Sequence, residues 1–373
     1  MKEQTLHIIS FDIPYPPDYG GIIDVFYKVK ALSDLGVSVH LHCFEYGRKH
    51  SEELKKLCKA VHYYKRETGL PYVFNTLPYI VITRTSNNLL RNLLKDDYPI
   101  LFEGLHTCFF LPHPDLKNRI KIVRTHNVEH EYYRSLYEVE GNHFNKQYFR
   151  MESKKLKRYE DVLAHASAIA AISPDDFNYF SKKYTNTYYI PAFHFHEKVE
   201  IKEGFGAYVL YHGNLSVNEN IQAALYLIKE VFSKINVPFR IAGKNPDSEI
   251  LKAAQEFIHI SVIKNPGRKE MDDLIANAHI NILPTFQDTG IKLKLLNAMF
   301  SGRHCLANSL MVRNTGLEQI CSIKNKPDTI IREIKKLFKL PYSKKFIEDR
   351  KRVLSDTFSN ESGAKKIIGL LGF

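Results

Sequence analysis

Long apolar runs are missing from this 373-residue chain. No stretch approaches 18 uncharged apolar residues, so no transmembrane helix is expected. The opening residues, MKEQTLHIISF, lack the basic-then-apolar order of a signal peptide. Cysteine is scarce and scattered. Cys43, Cys58, Cys108, Cys305 and Cys321 form no close pair, a spacing that supports neither a zinc site nor a disulfide framework and suits a reducing cytoplasm. Without a G-x-x-x-x-G-K-[ST] run, a P-loop NTPase is not expected, and neither glycine-rich loop is a dinucleotide fingerprint. There is no HExxH and no Ser–His–Asp order signature. No dense carboxylate cluster suggests a bound metal.

What is present fits a soluble globular protein, with 44% apolar and 25% charged residues. The length exceeds one ordinary core and predicts two domains. The net charge is +12, from 53 basic and 41 acidic residues, and suits nucleic acid, an anionic membrane or anionic substrates. Two stretches concentrate it. KQYFRMESKKLKRYE (146–160) and KKLFKLPYSKKFIEDRKR (335–352) interleave lysine and arginine with aromatic and aliphatic residues. Such stretches either lie on a membrane surface or form ordinary amphipathic helices with their aromatics in the core.

Apolar strands alternate with amphipathic helices along the chain. LHIISF (6–11), VSVHLHCF (37–44), ILFEG (100–104), KIVRTH (121–126) and AIAAIS (168–173) read as strands. A helix from about Gly21 to Leu35 places Ile22, Val25, Phe26, Val29, Leu32 and Leu35 on one stripe, with Gly36 as its cap. Residues 190–206 break the alternation and read as a linker. It then restarts, with strands at 207–213, 237–243, 259–263, 279–284 and 304–308 and helices at 220–235 and 269–278. Repeated βαβ units predict an α/β fold of two doubly wound domains, which bind ligands beyond the strand C-termini.

Three places could carry chemistry. Gly20–Gly21 follows a strand and opens a helix, so its N–H groups could face an anion or allow close approach; a tight turn explains the pair equally well. VRTHNVEHEYY (123–133) closes a strand and crowds Arg124, His126, Asn127, Glu129 and His130 at the functional end of such a sheet. FEGLHT brings Glu103 and His106 to a neighbouring strand end. His126 could exchange a hydrogen bond with a hydroxyl near neutral pH, or be a hydrogen-bonded core histidine. In FQDTGIKLKLLNAMFSG (286–302), Lys292 and Lys294 fall in a first helical turn, where the helix dipole disfavours cations. An anion at that terminus reverses the argument; solvated lysines on an amphipathic helix are the alternative.

With PYPPDYGGIIDVFYKVKALSDLGVSVHLH, VRTHNVEHEYY, YHGNLSVNENIQAA and TGIKLKLLNAMFSGRHCLAN in order, nearly the whole chain resembles the retaining glycosyltransferases of family 4. The resemblance implies a GT-B fold, two Rossmann-like domains facing a central cleft. An acceptor domain would span 1–195 and a nucleotide-sugar domain 205–354, with a C-terminal helix at about 355–373 returning to the first. It assigns Lys292 and Lys294 to the donor diphosphate and His126 to the transferred sugar. Gly21, Gly213, Asn214, Thr289, Gly290, Ile291 and Asn297 would line the donor. Gly267 and Arg268, in NPGRKE (265–270), would lie near the base, and Glu103, His106, Arg124 and Asn127 would face the acceptor.

The family often has two glutamates where this chain has Thr289 and Asn297. An Arg…Lys pair common after the first C-domain strand is replaced by GNLSVNEN. The resemblance implies a metal-independent transferase without a cofactor, moving a hexose from a nucleoside diphosphate sugar to a glycan or lipid-linked glycan. It would work in the cytoplasm or at the inner membrane face, with an anionic membrane surface as partner and no nucleic acid. Polysaccharide or glycoconjugate assembly would be its setting. A nucleotide-sugar epimerase and a non-catalytic glycan- or nucleotide-binding relative are the rival readings.

Overall fold

The computed structural model describes residues 4–286 and 293–372. They fall into two compact units. The first holds the described residues up to Phe195 together with those from Phe358 onward; the second holds the described residues from His196 to Thr357.

The first unit is built on seven parallel strands: β1 (Thr5–Ser10), β2 (Ser38–Glu45), β3 (Ala60–Lys65), β4 (Ile100–Glu103), β5 (Lys121–Thr125), β6 (Ala168–Ala171) and β7 (Thr187–Tyr189). Their order is β3-β2-β1-β4-β5-β6-β7. Every residue of β1, β4, β5 and β6 is buried, as expected of central parallel strands covered on both faces. The second unit has six parallel strands: β8 (Val209–Asn214), β9 (Phe239–Lys244), β10 (Ile260–Lys264), β11 (Ile280–Leu283), β12 (His304–Ala307) and β13 (Ser322–Ile323). Their order is β10-β9-β8-β11-β12-β13. Each sheet reverses its winding once, between β1 and β4 and between β8 and β11. Doubly wound sheets bind ligands beyond the strand ends at such points.

The helix Gly20–Asp34 ends as its sequence predicts. Gly36 adopts φ +84°, its N–H reaches Ser33 O at 2.9 Å, and the Val37 N–H reaches Leu32 O at 3.0 Å. This pair of bonds closes the helix over a left-handed residue that glycine adopts without strain. The helix Asn360–Leu370 packs against Gly20–Asp34, and its Ala364 and Ile367 join the same apolar cluster as Ile22, Val25 and Phe193.

Several details depart from the sequence reading. The edge strands β3, β7 and β13 were not expected; they are short or half-exposed and carry no continuous apolar run. The helix expected over 220–235 is α-helical only over Asn218–Tyr226. It widens to π over Leu227–Val231 and tightens to a 3₁₀ turn at Phe232–Lys234. The change of winding keeps Leu227, Ile228, Val231 and Phe232 all fully buried, and Phe232 stacks on Phe239 at 3.8 Å. The start of the expected linker is not an exposed connector. Ile190, Phe193 and His194 are buried, and His194 bonds Phe358 O at 2.8 Å within the first unit.

The two basic stretches also resolve. In the helix His143–Tyr159, Leu156 and Tyr159 join a core cluster, and Phe149 packs against Tyr133. In the second stretch Leu337, Tyr342 and Ile347 are buried. Most of these apolar residues therefore serve the core; Leu340 and Phe346 are exposed, and so is Phe144, at 85%, just before the first stretch.

Gly243 carries the tightest constraint in the second sheet. A Cβ there would lie 1.8 Å from Gly213 O and 2.8 Å from Leu215 Cγ. A backbone carbonyl cannot move aside as a flexible side chain can. Gly243→Ala is expected to destabilise the second unit by about 3 kcal/mol, the upper range for overpacking. Urea denaturation measures this; an unchanged midpoint would contradict the packing described.

Candidate functional site

At the β1/β4 reversal of the first unit, charged groups form a buried ladder. Asp24 and Lys28 lie one turn apart on the helix Gly20–Asp34, while Glu103 and Arg124 are in-register neighbours on β4 and β5. The Arg124 guanidinium grips Asp24, Nη2 to Oδ1 at 2.9 Å and Nε to Oδ2 at 3.2 Å. Lys28 Nζ bridges Asp24 Oδ2 at 2.7 Å and Glu103 Oε1 at 2.8 Å. Glu103 Oε2 then meets His126 Nε2 at 3.0 Å. Two cations and two carboxylates balance, which is how four charges persist with no solvent exposure. Burial works to raise Asp24, yet Arg124, Lys28 and His126 hold its carboxyl well below the usual carboxylate range.

Asp24, Glu103 and His126, taken by themselves, have the spacing of a cation site. The Lys28 ammonium already bridges the two carboxylates, so the cluster supplies its own cation. Arg124 also donates to Ile190 O and Pro191 O, and Asp24 accepts the Phe193 N–H at 2.8 Å. Arg124 and Glu103, expected to face an acceptor, are thus paired with Asp24, Lys28 and His126.

His126 and His106 stand differently. His126 Nε2 donates to the Glu103 carboxylate, which fixes the orientation of the ring. Nδ1 is buried and has no hydrogen-bond partner. Gly104, at φ +70°, turns the chain after β4 and presents His106. His106 Nδ1 lies 3.9 Å from Glu129 Oε1, and these two atoms and Thr125 Oγ1 also lack hydrogen-bond partners. Buried polar atoms are nearly always paired, so four unpaired ones at the ends of β4 and β5 mark a place that a polar ligand or water completes. Phe11, just past β1, touches both histidine rings, 5.3 Å from His106 and 5.4 Å from His126. Gly21 packs against the same ring; a Cβ there would meet Phe11 Cζ at 2.8 Å. Gly21, His106 and His126 therefore gather around Phe11, with Asn127 beside Glu129 as its hydrogen-bond partner.

At the β8/β11 reversal of the second unit, Lys294 reaches the first turn of the helix Asn218–Tyr226 that follows β8. Lys294 opens the helix Leu293–Ser301, and its Nζ donates to Asn220 Oδ1 at 2.9 Å. Asn220 Nδ2 donates to Asn214 O at 2.9 Å, and a Cβ on Gly213 would press the Asn220 side chain at 3.1 Å. Gly213, Asn214 and Lys294 are thus assembled through Asn220. The ammonium also lies 5.7 Å from the Tyr211 ring. Burial, with Lys294 nearby, pushes His212 down to about 3.

Other expected donor residues sit elsewhere. Asn297, one turn further along the helix, faces His196, Oδ1 to Nε2 at 3.3 Å. Gly267 precedes the helix Arg268–Asn277 after β10, with β9 between it and β8; Arg268 lies 3.5 Å from Asp272. Thr289, Gly290, Ile291 and Lys292 lie outside the described residues.

The sequence reading missed Asp24, Lys28, Phe11 and Asn220 and gave Glu129 no role. Asp24 and Lys28 had a signal, opposite charges four apart on a helix face that also carries Val25 and Leu32.

Glu129 gives a pH test. Burial pushes its carboxyl up to about 8, with Asp176 adding to the rise and Asn127 and Arg84 opposing it. Between the unfolded value near pH 4.3 and pH 8, the folded protein holds a proton that the unfolded chain releases, so stability falls as pH rises through that window. Glu129→Gln removes this slope. The variant should match wild type near pH 4 and exceed it by about 5 kcal/mol at pH 8 in urea denaturation; parallel curves would contradict a buried, protonated Glu129.

Residues 206–339 match the family model described as Glycosyl transferases group 1. A relative from Klebsiella pneumoniae, described as an uncharacterized 44.6 kDa protein in cps region, is 28% identical over 329 residues, covering 83% of this chain and 84% of the relative. Among solved structures, TarM superposes with a TM-score of 0.69 at 11% identity, covering 100% of this chain and 99% of TarM. The lipopolysaccharide outer core galactosyltransferase WaaB superposes with a TM-score of 0.64 at 12% identity, covering 99% of each chain. A variant of S. aureus TarM, bound to fondaparinux, alpha-GlcNAc-glycerol and UDP, gives 0.64 at 12% identity, covering 100% of both chains. The chain has the GT-B fold, and residues 206–339 of its second unit are similar to the glycosyl transferases group 1.

Proposed function

We propose that this protein is a retaining, metal-independent glycosyltransferase that moves a hexose from a nucleoside diphosphate sugar to a hydroxyl of a glycan or lipid-linked glycan. The observation that carries the proposal is the Lys294–Asn220–Gly213 assembly at the β8/β11 reversal, inside the segment matching the group 1 model. A glycine at a strand end gives a phosphate close backbone approach, and a first-turn ammonium beside it balances phosphate charge. The relative described as lying in a cps region supports a role in polysaccharide assembly.

In this reading the second unit holds the donor, with Lys292 and Lys294 on the diphosphate and Gly213, Asn214, Thr289, Gly290, Ile291, Asn297, Gly267 and Arg268 around it. The glycosidic C1–O bond to phosphate breaks, and charge grows on the departing diphosphate. Lys294 stabilises that charge, a kind of interaction that dominates many catalysed reactions. The acceptor oxygen bonds to C1 on the same face, and its proton passes to the departing phosphate oxygen. The first unit presents His126 Nδ1 to a sugar hydroxyl, while neutral Glu129 and His106 offer further polar contacts. The Asn297 contact with His196 favours one rival, a binding protein without turnover, and the same experiments separate the two.

A thermal-shift panel of UDP, GDP, ADP and their sugar conjugates should show one responding base. Saturation at 100 times the dissociation constant adds about 2.7 kcal/mol. Lys294→Ala should lower kcat by roughly 10²- to 10³-fold while leaving the far-UV circular dichroism unchanged; near-normal turnover would sink the assignment. Phe144 and the neighbouring lysines predict binding to anionic liposomes that weakens as salt rises, with Phe144→Ser reducing it several-fold. No binding at low salt would remove the membrane from this account.

A further inference from the structure

The first sheet carries a second cluster at the N-terminal ends of its strands, away from the residues described above. His7 on β1 and His40 on β2 are in-register neighbours, and His42 and His62 continue along β2 and β3 as a second in-register pair. Side chains two apart on a strand, or paired in parallel register, share a face, so all four imidazoles lie on one side of the sheet. Asp96 joins them from the segment before β4. One ligand atom each from His7, His40 and Asp96 lies within 4.8 Å of the others.

We propose that His7, His40 and Asp96 form a binding site for a divalent transition ion of the zinc class. Two imidazoles and one carboxylate are a borderline donor set, and three protein ligands leave a fourth position for water. Tetrahedral coordination at the usual bond lengths sets ligand atoms about 3.4 Å apart. His7 Nε2 and Asp96 Oδ1 are now 2.8 Å apart, so roughly half an ångström of opening admits the ion. Asp96 Oδ1 also accepts from Tyr98 N at 3.1 Å and lies 3.4 Å from Arg119 Nη2, contacts that fix the carboxylate beside His7.

The groups behind the site supply a second argument. His7 Nδ1 meets His42 Nε2 at 2.8 Å, His42 Nδ1 meets Tyr64 OH at 2.8 Å, and Asn92 Nδ2 donates to Tyr64 OH at 2.8 Å. Without an ion, protons run one way: Tyr64 O–H to His42, His42 Nε2–H to His7, and His7 Nε2–H to Asp96. With an ion on His7 Nε2, both histidines switch tautomer. His7 Nδ1–H then donates to His42 and His42 Nδ1–H to Tyr64, while Asn92 still donates to Tyr64. Each histidine keeps one proton in both states, and no proton is gained or lost. A metal-ligating imidazole needs its other nitrogen donated to a partner, and this chain provides one in buried surroundings.

The test uses the full-length protein, dialysed against chelator and titrated with Co²⁺ as a spectroscopic probe and then with Zn²⁺ as competitor. Wild type should bind one equivalent of Co²⁺ with a visible band of four-coordinate intensity that Zn²⁺ abolishes. His40→Ala and the near-isosteric Asp96→Asn should each weaken binding at least tenfold, and the exposed His143→Ala should not. Circular dichroism melts confirm that each variant folds. A wild type without the band, or variants that bind as wild type does, would overturn the site. Nucleotide response serves as an independent readout, so failure here is distinct from failure of the transferase reading.

Discussion

Asp24 is the point on which the first unit depends. Its carboxylate accepts from Arg124 on β5, from Lys28 one turn along its own helix and from the Phe193 N–H of the segment after β7. One side chain therefore ties a helix, a central strand and the returning chain. Taking these charges out of water is costly, and only the completed ladder offsets it; removing one partner from such a buried pair typically costs 3–5 kcal/mol. The ladder ends on His126, so the same electrostatics that hold the unit together fix which nitrogen of that imidazole is open.

The two sheets share a winding but offer different chemistry at their reversals. The first presents unpaired polar atoms and a protonated carboxyl beside an aromatic ring, a surface suited to hydroxyl groups. The second presents a glycine at the end of a strand and an ammonium, a surface suited to phosphate. A glycosyl transfer needs both kinds. The histidine cluster lies at the other ends of the first unit's strands and has no part in either surface.

Much of this was legible in the sequence, and the reasons are physical. The central strands are mostly buried and rich in apolar residues, so β1, β4, β5, β8 and β11 were found close to their observed bounds. Edge strands such as β3 and β13 carry no such signal. Lys294 was singled out because a cation in a first helical turn is unfavourable without an anion; Asn220, which accepts its hydrogen bond, lies 74 positions away and left no local trace. Arg124 was expected to face a ligand because it sits at a strand end. Its true partner, Asp24, is 100 residues distant in sequence. His7, His40, His42 and His62 alternate with apolar residues as any strand does, and only the strand register brings them together.

The central claim is transfer of a sugar from a nucleotide, and the product reports on it directly. Proton NMR of a reaction containing the responding nucleoside diphosphate hexose and a glycan acceptor resolves the new anomeric signal. The account predicts a glycoside with the same anomeric configuration as the donor, accompanied by free nucleoside diphosphate. An inverted anomer would contradict same-face attack. Conversion of the donor sugar without any new glycoside would contradict transfer itself.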